Sequence, residues 1–330
     1  MQKIRIAMAH RGAGLAPVFA AIDGGFFHAQ GLEPELVACP GHPASLAALI
    51  AGRVDFTNSV GPELILANQR HDGDAVIIAS AISRSAQQIS ARPGLSSREE
   101  LRGKRWGVVA RNDADECSIV MAFERWNWDR ERDAEIVVVG SDGPRLDLLL
   151  DPRRVDVAIM HAPEPFQAMK RGWAVVEDLG RLDIAFQNSC AATTRRIMRE
   201  RSDIALRYVR AFCQGVYRFR TDAAFGIEVL RKYTGEPDPT VIEQTWVLFS
   251  RLMGGMMFPS LEGVRTAIHV LNRLSAIPAS MAPEGVVDLS PIAALEREGF
   301  FAKLMGVHDL AKPQVRDHKS ASGSERGVSR

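Results

Sequence analysis

A short phrase of this chain occurs twice, and it constrains the fold more than any other feature of the 330 residues. Residues 49–56 (LIAGRVDF) are echoed by residues 149–159 (LLDPRRVDVAI). In each copy an apolar helical pattern is broken by Gly or Pro, a basic residue follows, and a short apolar strand begins at Val-Asp. A supersecondary unit that is used twice predicts two similar lobes, and two lobes enclose a cleft. Chance is the alternative, because Leu, Arg, Val and Asp are common residues.

The composition is typical of a globular protein with two domains of ordinary size. Hydrophobic residues make up 46% and charged residues 25% of the chain, so either half is able to bury its own core. The formal net charge of +1 argues against a nucleic-acid partner, which needs a concentrated basic surface. No stretch approaches the roughly 20 apolar residues that span a bilayer, so membrane insertion is not expected.

The amino terminus predicts the compartment. Residues 1–10 alternate between apolar and polar side chains and lead into a glycine-rich turn, without the features of a secretory signal. We therefore expect a cytoplasmic protein for the chain as it stands, and a periplasmic one if a leader has been removed. The four cysteines, Cys39, Cys117, Cys190 and Cys213, show no CxxC spacing, which is typical of reduced thiols.

Strand patterns alternate with helical patterns through both copies of the phrase, which predicts a mostly parallel sheet in each lobe. Ser45 is expected to cap the helix that leads into the first copy. From residue 202 to about residue 304 the pattern is helical. The polar, Gly/Ser-rich residues 311–330 predict a disordered tail. The predicted strands are residues 3–8, 31–37, 54–56, 75–81, 105–109, 135–139 and 155–160.

Ligands of open parallel sheets bind beyond the carboxyl ends of the strands, and this rule selects the loops that follow the predicted strands. These loops are residues 10–15, 39–42 and 58–61 in one lobe, and 111–115, 140–143 and 161–164 in the other. Arg84 lies near the expected crossover between the lobes. The candidate ligand-binding residues are His10, Arg11, Gly12, Gly14, Gly41, His42, Asn58, Ser59, Arg84, Arg111, Asn112, Asp113, His161 and Glu164.

Three histidines fall in these loops: His10, His42 and His161. They are interpreted as neutral hydrogen-bonding residues of a polar pocket, with a general base as one alternative and a metal trio as another. No local metal-ligand spacing such as HExxH occurs, so no metal site is predicted. No cofactor is predicted either, because Pro17 replaces the third glycine of a GxGxxG-like run.

The loop of residues 112–116 (NDADE) is acidic where an anion-binding pocket would favour hydroxyls and bare N–H groups. Asp113 or Asp115 is expected to cap the following helix. If a carboxylate faces the cleft instead, it selects an amine or a protonated ring nitrogen, and Glu164 offers a second such group. Three arginines, Arg11, Arg84 and Arg111, are able to clamp a ligand carboxylate. The mixture predicts a small polar ligand that is aromatic or zwitterionic.

Several segments resemble a known family in their order and spacing. They are residues 25–32 (GFFHAQGL), 54–56 (VDF), 101–108 (LRGKRWGV) and 155–158 (VDVA). They resemble the NMT1/THI5-like solute-binding proteins of ABC importers for nitrate, sulfonates and thiamine-pyrimidine precursors. The resemblance covers about residues 3 to 275 and implies an α/β, two-lobed type II periplasmic-binding-protein fold. Each lobe is then a mostly parallel sheet flanked by helices, followed by a helical carboxyl-terminal region.

The resemblance also implies a domain division and a function. Residues 1–84 plus 188–310 are expected to form lobe one and residues 85–187 lobe two, with two crossovers between them. The leading hypothesis is a binding protein that closes on a small molecule and, if exported, serves an ABC permease. The alternative is a cytosolic enzyme on the same scaffold, a decarboxylase, desulfinase or other lyase or hydrolase acting on a small aromatic acid. His10 would then be the acid/base, whereas Cys39 is a weaker candidate for a nucleophile.

Overall fold

The computed structural model describes residues 1–140, 142, 144–278 and 281–306. The predicted disordered tail, residues 311–330, lies outside them. Within the described part of the chain the strands are β1 (Gln2–Met8), β2 (Leu32–Ala38), β3 (Phe56–Ser59), β4 (Ala75–Ser80), β5 (Gln87–Ala91), β6 (Lys104–Val108), β7 (Ala134–Val138), β8 (Val157–His161), β9 (Ala174–Asp178) and β10 (Cys190–Thr194).

Helices connect these strands and follow the last of them. Those up to β10 are α1 (Ala16–Asp23), α2 (Phe26–Ala29), α3 (Gly41–Ile50), α4 (Gly61–His71), α5 (Ala114–Trp126), α6 (Arg130–Asp133), α7 (Arg145–Leu149) and α8 (Glu164–Lys170). Those after β10 are α9 (Arg195–Glu200), α10 (Ser202–Thr221), α11 (Ala223–Thr234), α12 (Pro239–Leu252), α13 (Leu261–Arg273), α14 (Ser290–Arg297) and α15 (Phe300–Met305).

The strands form two five-stranded sheets with the same plan. The first has the order β2-β1-β3-β10-β4 and the second β7-β6-β8-β5-β9. β1 is parallel to β2 and β3, and β6 is parallel to β7 and β8. In each sheet one strand is antiparallel to its neighbours, β10 in the first and β5 in the second. We call the parts built on these sheets lobe one and lobe two.

The chain crosses from one lobe to the other before each of the two antiparallel strands. β5 follows the four early strands of the first sheet but pairs in the second, and β10 follows the second sheet but pairs in the first. The connecting segments run side by side, with a bridge between Arg84 and Ala185. The predicted fold class, two mostly parallel sheets flanked by helices with a helical carboxyl-terminal region, is confirmed.

Three strands were not predicted: β5, β9 and β10. β5 (QQISA) and β10 (CAATT) are buried at every residue yet are composed largely of Gln, Ser, Ala and Thr. Strand recognition rests on branched and aromatic side chains, and these segments contain few of them: Ile89 in β5, and Thr193 and Thr194 in β10. Their burial comes from being inserted between strands that are distant in sequence.

The predicted cap at Ser45 is wrong. α3 begins at Gly41, directly after β2, so Ser45 is a fully buried residue inside the helix. Its hydroxyl donates to the His42 carbonyl at 2.9 Å. The early start matters for the cleft, because it places the first turn of α3 at the sheet edge.

The repeated Val-Asp phrase has the same structural role in both lobes. Asp55 Oδ2 accepts from the Arg5 backbone N–H at 2.7 Å, and the Arg5 carbonyl accepts from Asp55 N–H at 2.8 Å. In lobe two Asp156 makes the same exchange with Arg105, at 3.1 and 2.9 Å. Each aspartate therefore ties the start of its strand to the first strand of its lobe, away from the cleft, as predicted.

Helices cover both faces of the first sheet. α1 and α10 pack on one face so closely that a Cβ at Gly215 would lie 2.5 Å from the Pro17 carbonyl oxygen. α4 and α13 pack on the other face. Lobe two also contributes to that core, since Cys117 and Met121 of α5 belong to the same apolar cluster as Leu64 of α4. The lobes are thus packed against each other beside the cleft.

Candidate functional site

A cavity of about 710 Å³ lies where the carboxyl ends of the parallel strands of both sheets face each other. Lobe one contributes the segments after β1, β2 and β3, and lobe two those after β6, β7 and β8. Its wall includes polar side chains from both lobes. They are His10, His42, Asn58, Glu63, Arg70, Gln87, Arg111, Asp113, Asp115, Arg145, His161, Glu164, Gln167, Asn188 and Ser189.

The three predicted histidines meet in this wall. The rings of His10 and His42 are arranged edge to face with their centroids 5.2 Å apart. The rings of His10 and His161 are stacked at 6.1 Å. His10 and His42 come from lobe one and His161 from lobe two, so the cluster spans the cleft.

A glycine next to His10 sets the orientation of its ring. His10 Nδ1 accepts a hydrogen bond from the Gly12 backbone N–H at 2.8 Å. A Cβ at Gly12 would lie 2.6 Å from that same nitrogen, so the close approach requires glycine. Because Nδ1 accepts, the proton of the neutral ring is on Nε2, which is then a donor.

The cleft keeps all three histidines neutral near pH 7. Burial lowers the pKa of His42 to about 4 and, together with the Arg145 charge, that of His161 to about 3. Burial also lowers the pKa of His10 well below its usual value, with smaller contributions from His42 and His161. Neutral rings hydrogen-bond and stack, but such depressed pKa values make weak general bases.

Four carboxyl groups also line the cavity: Glu63 of lobe one, and Asp113, Asp115 and Glu164 of lobe two. A single arginine, Arg145, binds two of them. Its Nη2 lies 2.7 Å from Asp115 Oδ2, and its Nη1 contacts the Glu164 carboxylate. The Arg145 side chain is therefore already paired within lobe two.

Asp113 caps α5, as one of the two sequence alternatives predicted. Its carboxylate accepts from the backbone N–H groups of Ala110 and Glu116, each at 2.9 Å. Burial and the Asp115 charge nevertheless raise the pKa of Asp113 well above its usual range, and Glu63 acts in the same direction. The residue both caps the helix and lines the cavity, so the two alternatives do not exclude each other.

Glu63 is the lobe-one member of this wall, in the first turn of α4. Burial raises its pKa to about 7, with the Asp115 charge adding to the rise against hydrogen bonding by the Ala114 backbone. Within the described residues no salt bridge includes Glu63. Glu63 thus approaches the amino terminus of α5 across the cleft without a cationic partner.

Most of the predicted ligand-binding residues line the cavity, and four do not. The lining contains His10, Gly12, Gly14, Gly41, His42, Asn58, Arg111, Asp113, His161 and Glu164. Outside it are Arg11, Ser59, Arg84 and Asn112.

The four residues outside the lining have evident positions in the fold. Arg11 is exposed, and Arg84 is exposed on the crossover where its backbone bridges to Ala185. Ser59 is buried within the first sheet. The Asn112 backbone N–H donates to Glu116 Oε2 at 2.5 Å.

Arg111 reaches the cavity but is not a free carboxylate clamp. Its Nη1 lies 2.8 Å from Glu116 Oε1, and about half of its side chain is exposed. The cationic groups of the wall are therefore largely engaged by carboxylates of the protein.

Sequence reasoning missed several lining residues, chiefly Glu63, Asp115 and Arg145. Glu63 lies in the first turn of α4, so extending the predicted loop 58–61 by one helical turn would have included it. Asp115 belongs to the predicted loop 111–115 but was not among the candidate ligand-binding residues. Arg145 follows the predicted loop 140–143, whose residues 141 and 143 lie outside the described part of the chain. Its pairing with Asp115 and Glu164 has no signal in the sequence.

None of the four cysteines lines the cavity. Burial raises the pKa of Cys117 well above its usual value, and those of Cys190 and Cys213 well above the range of a reactive thiol. Among the described residues no group of three or more His, Cys, Asp and Glu side chains is arranged to hold a metal ion. Nor does any helix in this part of the chain combine the length and apolar character needed to cross a bilayer.

The comparisons with known proteins agree with this architecture. The model of the NMT1/THI5-like family matches residues 13–220. A search of curated proteins found no match.

Solved structures share the fold at low sequence identity. The periplasmic aliphatic sulphonate binding protein SsuA from Escherichia coli is 14% identical, with a TM-score of 0.72 over 100% of this chain and 98% of that one. The zinc-bound ligand binding component of an ABC-type import system from Staphylococcus aureus is 11% identical, with a TM-score of 0.73 over 89% and 98%. The desulfurization enzyme DSZB is 16% identical, with a TM-score of 0.64 over 90% and 100%.

Proposed function

The chain belongs to the NMT1/THI5-like family, and from this premise we propose that it is a substrate-binding protein that closes two lobes on a small molecule. The observation that carries the proposal is the cavity of about 710 Å³, whose wall is shared by both lobes. Pockets that bind small organic ligands have volumes of roughly 300–1,000 Å³. The division of the chain into residues 1–84 plus 188–310 and residues 85–187 is part of the proposal.

The ligand that we propose is a small polar organic molecule with an aromatic or zwitterionic character. The neutral rings of His10, His42 and His161 offer stacking faces and one or more N–H donors. The carboxyl groups of the same cavity offer acceptors. A cavity with both kinds of group favours a ligand that carries an unsaturated part and a polar part.

Two further parts of the proposal concern the partner and the compartment. The similarity in fold to an import-system component supports delivery of the ligand to an ABC permease. For the compartment, the periplasm and the cytoplasm are the two alternatives. Binding of the purified protein to membranes that contain the permease, and fractionation of cells that express the whole gene, test these two points.

An enzyme on the same scaffold is the alternative, with DSZB as a neighbour in fold. Two features of the cavity favour binding over turnover. No cysteine lines it, and His10 uses Nδ1 to accept from Gly12 while its pKa is depressed. A nucleophile paired with a base, which covalent catalysis needs, is therefore not found among the lining side chains of the described residues.

Isothermal titration with a panel of aromatic acids, sulfonates and pyrimidines tests the proposal, followed by recovery of each bound compound. Saturable binding of one compound per chain and its recovery unchanged are the expected results. A His10→Ala variant should keep its fold and lose part of its affinity. Conversion of a bound compound, abolished by His10→Ala while binding persists, would instead establish the enzyme.

A further inference from the structure

The wall of the cavity formed by α4 and α5 contains more carboxyl groups than the protein pairs with cations. Four carboxyl groups line it, and Arg145 pairs with two of them, Asp115 and Glu164. Arg111 pairs with Glu116 outside this group. Glu63 and Asp113 remain without a cation in the described part of the chain.

A separate observation on a lining residue of the cavity points to a ligand with donors. Asn58 is 2% exposed and lines the cavity, and its Oδ1 has no hydrogen-bond partner among the described residues. The orientation of its amide is determined by its neighbours. Nδ2 donates to the Gly14 carbonyl at 3.0 Å and to Ser189 Oγ at 3.3 Å, and a carbonyl oxygen accepts hydrogen bonds but cannot donate them. The buried free atom is therefore an acceptor.

The position of the two unpaired carboxyl groups gives them a role in closure. Glu63 belongs to lobe one and Asp113 to lobe two, and their helices α4 and α5 pack against each other. Like charges that face each other across a closed cleft repel. Closure of the lobes is therefore favoured by any group that brings positive charge and N–H donors between them.

We propose that a positively charged nitrogen of the ligand, such as an ammonium or an amidinium group, binds between Glu63 of lobe one and Asp113 of lobe two. The inference rests on the proposed binding function and adds the charge class and orientation of the ligand. The cationic end lies at the acidic wall near α4 and α5, and the unsaturated end lies at the histidines. This class differs from the sulphonate named for the Escherichia coli protein of similar fold.

Other charged groups around this position do not supply the missing cation. Arg145 is held by Asp115 and Glu164, and Arg70, further along α4, lowers the pKa of Glu63 less than burial raises it. Burial keeps the nearby histidines neutral near pH 7 by lowering their pKa values. The negative charge of Glu63 and Asp113 is therefore available to be neutralised by a cationic ligand or by a proton.

A thermal-shift screen of the full chain at pH 8 tests the proposal, with a library divided equally among monocations, neutral molecules and monoanions. Benzylamine, benzyl alcohol and phenylmethanesulfonate, which share one framework, form a matched set within it. We expect the stabilising compounds to be enriched in monocations. Their dissociation constants should rise at least tenfold in Glu63→Gln and in Asp113→Asn, and should not change in Glu33→Gln, an exposed residue of β2.

The variants and outcomes keep the inference separate from the proposed function. Asn is as good a helix cap as Asp, so Asp113→Asn removes the charge and keeps the cap bond from Glu116 N–H, losing only the bond from Ala110 N–H. Stabilising compounds that are mainly anions, or cations whose affinity is unchanged in both variants, would overturn the cation site and leave the binding function intact. The lack of a stabilising compound in all three classes would overturn the binding function itself.

Discussion

The imidazole rings of His10 and His161 are stacked across the cleft, with their centroids 6.1 Å apart and an angle of 29° between their planes. The two residues belong to different lobes, so this contact exists only while the lobes are together. Protonation of both rings would place like charges on either side of the cleft. The contact therefore makes the closed arrangement sensitive to acid.

We predict that His161→Asn reduces the acid sensitivity of the protein. The pKa of His161 is lowered to about 3 by burial and the Arg145 charge, whereas a histidine in the unfolded chain titrates near 6.5. Stability from the neutral ring is present above pH 6.5 and is lost as the pH falls toward 3. Between pH 7 and pH 4 this loss amounts to about 3 kcal/mol.

Urea unfolding at pH 7 and pH 4 measures the effect. The loss of unfolding free energy on acidification should be smaller by that amount in His161→Asn. His28→Asn, which alters an exposed histidine outside the cavity, is the control. An equal loss in wild type and His161→Asn would contradict the prediction.

The Glu63 carboxyl group should make stability depend on pH in the direction opposite to His161, and Glu63→Gln should remove that dependence. Burial raises the pKa of Glu63 to about 7, above the value of about 4.3 in an unfolded chain. The stability that comes from the neutral Glu63 carboxyl group is fully present below pH 4.3 and is lost as the pH rises through 7. Because Gln remains neutral, the stability of the variant relative to wild type should increase by about 2.5 kcal/mol between pH 5 and pH 8.

This difference is measured by urea unfolding of both proteins at the two pH values. Glu33→Gln, on the surface of β2, provides the matched change of an exposed glutamate. If the two substitutions shift stability equally at pH 8, Glu63 carries no electrostatic penalty in the closed cleft.

Asp156→Asn should destabilise the protein by roughly 2–4 kcal/mol. The nearly buried Asp156 carboxylate accepts from the Arg105 backbone and pairs with the Arg105 and Arg92 side chains, at 2.9 and 2.7 Å. Hydrogen bonding by Arg105 holds its pKa well below the usual range. Asp151→Asn changes a pair with the largely exposed Arg153 and should cost less than about 1 kcal/mol. Chemical denaturation at pH 7 compares the two variants, and equal costs would count against this role of the repeated aspartate.

Arg145→Met should destabilise the protein by about 2–4 kcal/mol. It leaves the Asp115 and Glu164 carboxylates of the cavity wall without their cation. Arg171→Met, which breaks an exposed pair with Asp147, is the control and should cost less than about 1 kcal/mol. Chemical denaturation at pH 7 measures both variants, and equal costs would contradict the charge-pairing role of Arg145.

Much of the fold could be predicted from local patterns. The repeated Val-Asp phrase predicted two lobes, and Asp55 and Asp156 have matching positions in them. The strand-end rule located the cavity loops, including His10, His42 and His161. These predictions succeeded because alternation, helix periodicity and glycine breaks are properties of neighbouring residues.

The sequence by itself determined the two-lobed α/β plan and the loops that meet at the cleft. Only the tertiary structure decided that β5 and β10 are exchanged between the sheets, that Arg84 faces solvent, and that Glu63 faces the amino terminus of α5. The physical reason is that these outcomes depend on contacts between segments far apart in the chain. Burial and charge at such contacts, as in the pairing of Arg145 with Asp115 and Glu164, arise only when distant segments of the chain fold together.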